Sequence, residues 1–229
     1  MNVRARIEQL QGAYGHLDGR ELLDAFARQF PGKLVVISSF GAEAVVLLDL
    51  VAQVDRALPV VFLDTDALFD ETLDYQQQVT ERLGLTGVRV IRPDPDALKE
   101  ADDLWQDDPD RCCYLRKVLP LERAVAGFEI LVDGRKRFHG GGRETISTIE
   151  SDADGRIKVS PLARWGQDRI EAAFAERSLP RHPLVEQGYK SIGCWPCSRP
   201  VSADEPVRAG RWAGAAKTEC GIHKVTKTK

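Results

Sequence analysis

Short unbroken apolar runs alternate along the chain with longer amphipathic stretches, and this alternation sets the expected architecture. Amphipathic stretches near residues 2–12 and 19–29 predict two helices. The run Leu34 to Ile37 is apolar at every position, as a strand buried on both faces should be, and Ala42 to Val54 is equally apolar but of helical length. Strand, tight turn and helix therefore follow in order. "LPVVFLDTD" predicts a second strand, followed by a polar helix ending near Leu83. "VRVIRP" predicts a third, ahead of the acidic helix "DALKEADDLW", and "EILVDG" a fourth. The pattern predicts an α/β fold, a parallel sheet flanked by helices with right-handed crossovers, binding its ligand at the carboxyl ends of the strands. Beyond the fourth strand, "GRKRFHGGGRETISTIESDADGR" is rich in Gly, Arg and Ser and predicts a mobile loop leading into a short strand or hairpin. "GQDRIEAAFAER" predicts one more helix. After His182 the pattern becomes irregular, which predicts a C-terminal tail packed on the sheet. The expected division is a sheet domain over residues 1–193 and a C-terminal segment over 194–229.

The length, 229 residues, suits one α/β domain of this kind. No window is apolar for long enough to cross a bilayer, and the charged N-terminus lacks the apolar core of a secretory signal. A cytoplasmic protein with no membrane partner is expected. The net charge of −3 conceals a gradient: residues 1–110 carry −11, while 111–143 and 208–229 carry +5 each. Solvated basic faces account for such segments by themselves. The acidic first half would repel a long polyanion, so a small anionic ligand fits better than nucleic acid.

"SSFGAEA", Ser38 to Ala44, lies where the first strand passes into its helix. Backbone N–H groups and the positive end of the helix dipole face outward there. Ser38 and Ser39 add hydroxyls, and Gly41 allows close approach, so the turn can cradle a phosphate or sulfate or be a simple serine helix cap. It is neither a Walker A loop nor a dinucleotide fingerprint. "LDTD", ending the second strand, brings Asp64, Thr65 and Asp66 to the same edge, where they could bind a ribose or base or cap the next helix.

The five cysteines are Cys112 and Cys113, adjacent in "RCCYLRK"; Cys194 and Cys197 in "GCWPC"; and Cys220 in "KTECGIH". Two pairs make a four-thiolate set suited to zinc or to an iron–sulfur cluster. Neighbouring residues are awkward ligands for one small ion, whereas the separate irons of a [4Fe–4S] cube can each take one; the spacing favours the cluster over zinc and over unrelated buried thiols. Cys220 is left over. Lys217, His223 and Lys224 lie near it in sequence, and cations favour the thiolate form that a nucleophile needs. A spare structural thiol is the alternative.

Taken together, "SSFGAEAVVLL", "DPDRCCYLRKVLPL", "GCWPCSRPV" followed by "RAGRW", and "KTECGIH" resemble the assimilatory sulfonucleotide reductases, over about Lys33 to His223. The double cysteine with Cys-x-x-Cys resembles the iron–sulfur branch of that family. The resemblance implies an adenine nucleotide alpha hydrolase-like sheet and reduction of adenosine 5′-phosphosulfate to sulfite and AMP, in sulfate assimilation and cysteine biosynthesis. Thioredoxin or glutaredoxin would be the partner, and a homo-oligomer is compatible with it. It implies that Cys112, Cys113, Cys194 and Cys197 hold a [4Fe–4S] cluster, and that Cys220 attacks the substrate and carries an S-sulfonate. Ser38, Ser39, Gly41, Lys117, Arg135, Arg137, Arg143, Arg208, Arg211 and His223 would bind the substrate, and the tail carrying Cys220 should move between substrate and thioredoxin. Asp66 stands where many relatives have Gly, Ala44 where Ser or Asp is common, and the 134–147 loop resembles that of enzymes using the 3′-phosphorylated nucleotide. The same chemistry on 3′-phosphoadenosine 5′-phosphosulfate is therefore an alternative. A PP-loop ATP pyrophosphatase of tRNA thiolation is another, although the Ser-Gly-Gly-x-Asp-Ser turn of that class is missing.

Overall fold

The computed structural model describes residues 2–152, 155–213, 217 and 219–223. Helices α1 (Val3–Tyr14) and α2 (Gly19–Gln29) precede a sheet whose strands are β1 (Leu34–Ser38), β2 (Val60–Leu63), β3 (Val88–Ile91), β4 (Ile130–Val132), β5 (Ile149–Ser151) and β6 (Ile157–Val159). Their order is β3-β2-β1-β4-β6-β5, parallel throughout except for β5 against β6. The crossovers are α3 (Ala44–Val54), α4 (Asp70–Leu83), and a helical stretch made of α5 (Pro95–Glu100), α6 (Leu104–Asp107), α7 (Pro109–Cys113), a π turn (Tyr114–Val118) and α8 (Leu119–Val125). Helix α9 (Gln167–Glu176) follows the β5–β6 hairpin. No helix among the described residues is long and apolar enough to cross a membrane.

The unbroken apolar runs are explained by burial on both faces of the sheet. Leu34, Val36, Val60, Phe62, Ile130 and Val132 point into a large core with α2, α3 and α9, while Val35, Val61 and Leu131 point into a smaller one against α8. The expected acidic helix is broken. Asp103 takes a left-handed conformation (φ 56°) between α5 and α6, and proline begins both α5 and α7, capped by Asp94 and Asp108. Pro120, at the start of α8, has no amide to continue the ladder, and the preceding turn widens to a π turn.

The segment after β4 is a loop that leads into the β5–β6 hairpin, as expected. Gly140, Gly141 and Gly142 all have positive φ, which lets the chain double back, and Ile146 N–H donates to Arg143 O while Arg137 N–H donates to Ala163 O. After His182 the described residues form no α-helix or multi-residue strand and run across the carboxyl edge of the sheet. It is tied there by Trp195 N–H to Ala67 O and by a bridge between Ser198 and Arg211.

Candidate functional site

The carboxyl ends of β1, β2 and β4 open into one cleft of about 1210 Å³, its mouth included, where the strand order reverses about β1. Ser38, Ser39 and Gly41 line it from β1, Thr65 from β2, Gly134 and Arg135 from β4, and Lys117 from the π turn. The C-terminal segment closes it with Arg208, Arg211, Trp212, Glu219, Cys220 and Ile222. Residues as far apart in sequence as Ser38 and Ile222 thus converge on one edge.

The turn after β1 differs in detail from a bare phosphate cradle. Ser38 Oγ accepts from Phe40 N–H at 3.2 Å, and Phe40 is buried with φ 47°, packed edge-on against Phe62. Gly41 is needed for chain packing: a Cβ there would lie 3.1 Å from Ile192 O. Glu43, at the mouth of α3, accepts from Lys136 Nζ at 3.0 Å and pairs with His139 Nε2 at 2.9 Å. Burial alone would raise its pKa, but the His139 hydrogen bond and the Lys136 charge outweigh burial and hold it at about 2. "LDTD" serves the protein itself. Asp64 pairs with Arg92 and accepts from Asp66 N–H, Thr65 Oγ1 lies 3.1 Å from Cys194 Sγ, and Asp66 is exposed in a left-handed conformation (φ 57°).

Of the expected substrate cations, Arg143, Arg208, Arg211 and Lys117 line the cleft with groups turned to it or to its closing segment. Arg135 also lines it, but its guanidinium is committed to Asp133 at 2.8 Å and Glu150 at 2.6 Å, which makes it a buried strut. Arg137 is outside the cleft; it is exposed, and its Nε donates to Ile146 O. The side chain of His223 and all of Lys224 fall outside the described residues. Lys217 pairs with Asp110 at 2.8 Å and faces Cys113, not Cys220 as its sequence position suggested. Glu219, which sequence reasoning passed over, is held by Arg143 through Nε and Nη2 and by Arg208 Nη2 at 3.4 Å. Burial and the neighbouring Arg143 charge bring the Arg208 pKa down to about 10. Arg211 lies across Gly193, where a Cβ would come within 2.3 Å of its Nη2, and its Nε donates to Cys197 O.

The five thiols meet behind this cleft. Successive helical residues point about 100° apart, so Cys112 acts electrostatically on Cys194 and Cys197, while Cys113 packs with Trp212 and Cys220. Burial raises the pKa of Cys112 and Cys197. Lys117 is buried; burial would lower its pKa, but the thiols of Cys194, Cys220 and Cys113 raise it further, so it is a fixed cation among sulfurs. Cys220 was expected to stand clear of the four ligand candidates, and it does not. It is 9% exposed, and its thiol is within hydrogen-bonding reach of Cys113. The Cys113 thiol packed beside it, against the cost of burial, lowers the Cys220 pKa, helped by Lys117, the Ile222 N–H and Arg211.

Among the described residues no three His, Cys, Asp or Glu side chains are grouped to hold a single metal ion. The donor set nevertheless suits a larger thiolate-bound group: four buried or half-buried cysteines from two segments, with a lysine beside them. A buried donor, Trp212 Nε1, also has no hydrogen-bond partner among the described residues, and it packs against Cys113 and Cys220.

Residues 33–200 match the family model described as phosphoadenosine phosphosulfate reductase domain. The chain is similar to an adenosine 5′-phosphosulfate reductase of Mesorhizobium japonicum, 44% identical over 96% of this chain and 88% of the relative. It is also similar to adenosine 5′-phosphosulfate reductase 1 of Bacillus subtilis, 37% identical over 96% and 91%. Among solved structures it superposes on a phosphoadenylyl-sulfate reductase of Candida auris in a phosphate complex, with a TM-score of 0.71 and 28% identity over 82% of this chain and 94% of that one.

Proposed function

The chain belongs to the phosphoadenosine phosphosulfate reductase domain family, and from that premise we propose that it reduces adenosine 5′-phosphosulfate to sulfite and AMP, with thioredoxin or glutaredoxin as the electron donor. The observation that carries the reading is the position of Cys220: a thiol with a lowered pKa lining the cleft at the sheet's switch point, flanked by Lys117 and Arg211. The curated relatives' names favour the substrate without a 3′-phosphate.

In the proposed mechanism the cleft cations come first, because a thiolate and a multiply charged anion repel each other. Lys117, Arg208 and Arg211 screen the phosphosulfate, and the hydroxyls of Ser38 and Ser39, which line the same cleft, would donate to its oxygens. The Cys220 thiolate attacks the sulfate sulfur. A sulfur–sulfur bond forms, the bond from sulfur to the phosphate oxygen breaks, and AMP leaves with the electron pair, its charge met by the same cations. A thiolate of the reduced partner then attacks Cys220 Sγ on the S-sulfonate. Sulfite leaves, and the partner's second thiol resolves the mixed disulfide, so two thiols are oxidised for each sulfonucleotide reduced.

Cys112, Cys113, Cys194 and Cys197 would hold a [4Fe–4S] cluster. When bound, it supplies a cross-link between two segments and an electrostatic environment, while the reducing equivalents come from thiols. With Cys113 engaged as a ligand, Lys117, Arg211 and the Ile222 N–H remain to favour the Cys220 thiolate. The test is Cys220→Ser assayed with both sulfonucleotides and reduced thioredoxin. Sulfite formation should be lost while iron content and nucleotide binding persist; turnover by that variant would refute the assignment.

A further inference from the structure

The carboxylate of Glu219 sits where the cleft is most cationic. Arg143 grips it with Nε and Nη2, a two-pronged geometry that matches carboxylate, phosphate and sulfate alike, and Arg208 adds a third contact. All three side chains are largely buried, at 10%, 12% and 17% exposure for Arg143, Arg208 and Glu219. The other acidic residues lining the cleft, Glu43 and Asp133, come from the sheet domain and neutralise cations of that domain, Lys136 and Arg135. Glu219 alone comes from the closing segment; it is the single acidic residue of 208–229 and the immediate neighbour of Cys220.

We propose that Glu219 is an internal stand-in for the substrate anion: its carboxylate latches the tail to Arg143 and Arg208 in the substrate-free protein, and an incoming sulfate or phosphate group displaces it and frees the tail that carries Cys220. This rests on the sulfonucleotide reading above and adds a control step to it. Two adjacent, largely buried guanidinium groups favour an anion between them. A second anion cannot share it with Glu219 without strong like-charge repulsion in a poorly hydrated cleft. Exchange of one for the other therefore couples arrival of substrate to release of the nucleophile, and it guards the thiol between turnovers.

The experiment measures alkylation of Cys220 by iodoacetamide in the anaerobically purified holoenzyme, read by peptide mass mapping, with and without inorganic sulfate. In the wild-type protein sulfate should accelerate alkylation several-fold. Glu219→Gln should be alkylated roughly tenfold faster without any anion and respond little to sulfate, while Glu219→Asp, which keeps the charge, should behave like wild type. Wild-type alkylation that sulfate leaves unchanged or slows, or a Glu219→Gln rate equal to wild type, would overturn the latch. Sulfite production from adenosine 5′-phosphosulfate on the same wild-type sample keeps the two readings apart. Turnover without a sulfate effect removes the latch alone, and a sulfate effect without turnover removes the sulfonucleotide chemistry alone.

Discussion

Cys112 and Cys113 are adjacent in the chain yet face different partners, Cys112 toward Cys194 and Cys197 and Cys113 toward Cys220. The helical step between them, followed at once by a π turn, lets one short motif serve both a ligand set and the neighbourhood of the nucleophile. Mild thiol oxidation of iron-free protein with diamide should therefore join Cys113 to Cys220, identified by peptide mapping. A Cys112–Cys220 disulfide would contradict the arrangement.

Replacing Lys117 should damage chemistry more than binding. Its ammonium is buried among Cys113, Cys194 and Cys220 and also lines the cleft, so it can stabilise the thiolate and the departing charge. Lys117→Ala should lower kcat by about 100-fold with a smaller change in KM, measured by sulfite release in steady state, with the iron content retained.

Much of this site could be read from the residues because it is built from local patterns. The apolar run before Ser38 and the helical run after it made the β1–α3 turn legible, and the cysteine spacings singled out two pairs and a remainder. What escaped depends on contacts between distant segments. Nothing near Glu219 in sequence announces Arg143, and nothing near Gly41 announces Ile192, yet these contacts decide what the two residues do. Arg137 looked like a substrate cation and Lys217 like a cation beside Cys220, because charge was legible and direction was not. Each is bound elsewhere, to Ile146 and to Asp110.

Asp66 shows how a local rule explains an apparent departure. The position has φ 57°, where Gly is free of strain and Asp is tolerated, which accounts for both the common residue and the one present here. Asp66→Gly should change stability by less than about 0.5 kcal/mol, and Asp66→Val should cost about 1–2 kcal/mol, measured by urea unfolding at pH 7.

His182 gives the fold a pH dependence separate from catalysis. It is buried, its Nδ1 accepts from Leu184 N–H, and its Nε2 is 3.0 Å from Thr72 Oγ1, so the neutral ring with its proton on Nε2 satisfies both contacts. Burial lowers its pKa to about 4. Between that value and the ordinary pKa near 6.5, the unfolded chain holds a proton that the folded one does not, so stability present above about pH 6.5 is lost as the pH falls. His182→Asn should be less stable than wild type at pH 7, and the gap should narrow by roughly 2–3 kcal/mol toward pH 4. Urea titrations of both proteins across this range check the slope; a gap independent of pH would count against it.

The most direct measurement mixes the anaerobic holoenzyme with adenosine 5′-phosphosulfate in the absence of any thiol partner and maps the resulting mass change by peptide. The account predicts one SO₃ unit added to the peptide carrying Cys220, removed as sulfite when reduced thioredoxin is supplied. An adduct on Cys112, Cys113, Cys194 or Cys197, or AMP released with Cys220 unmodified, would contradict it.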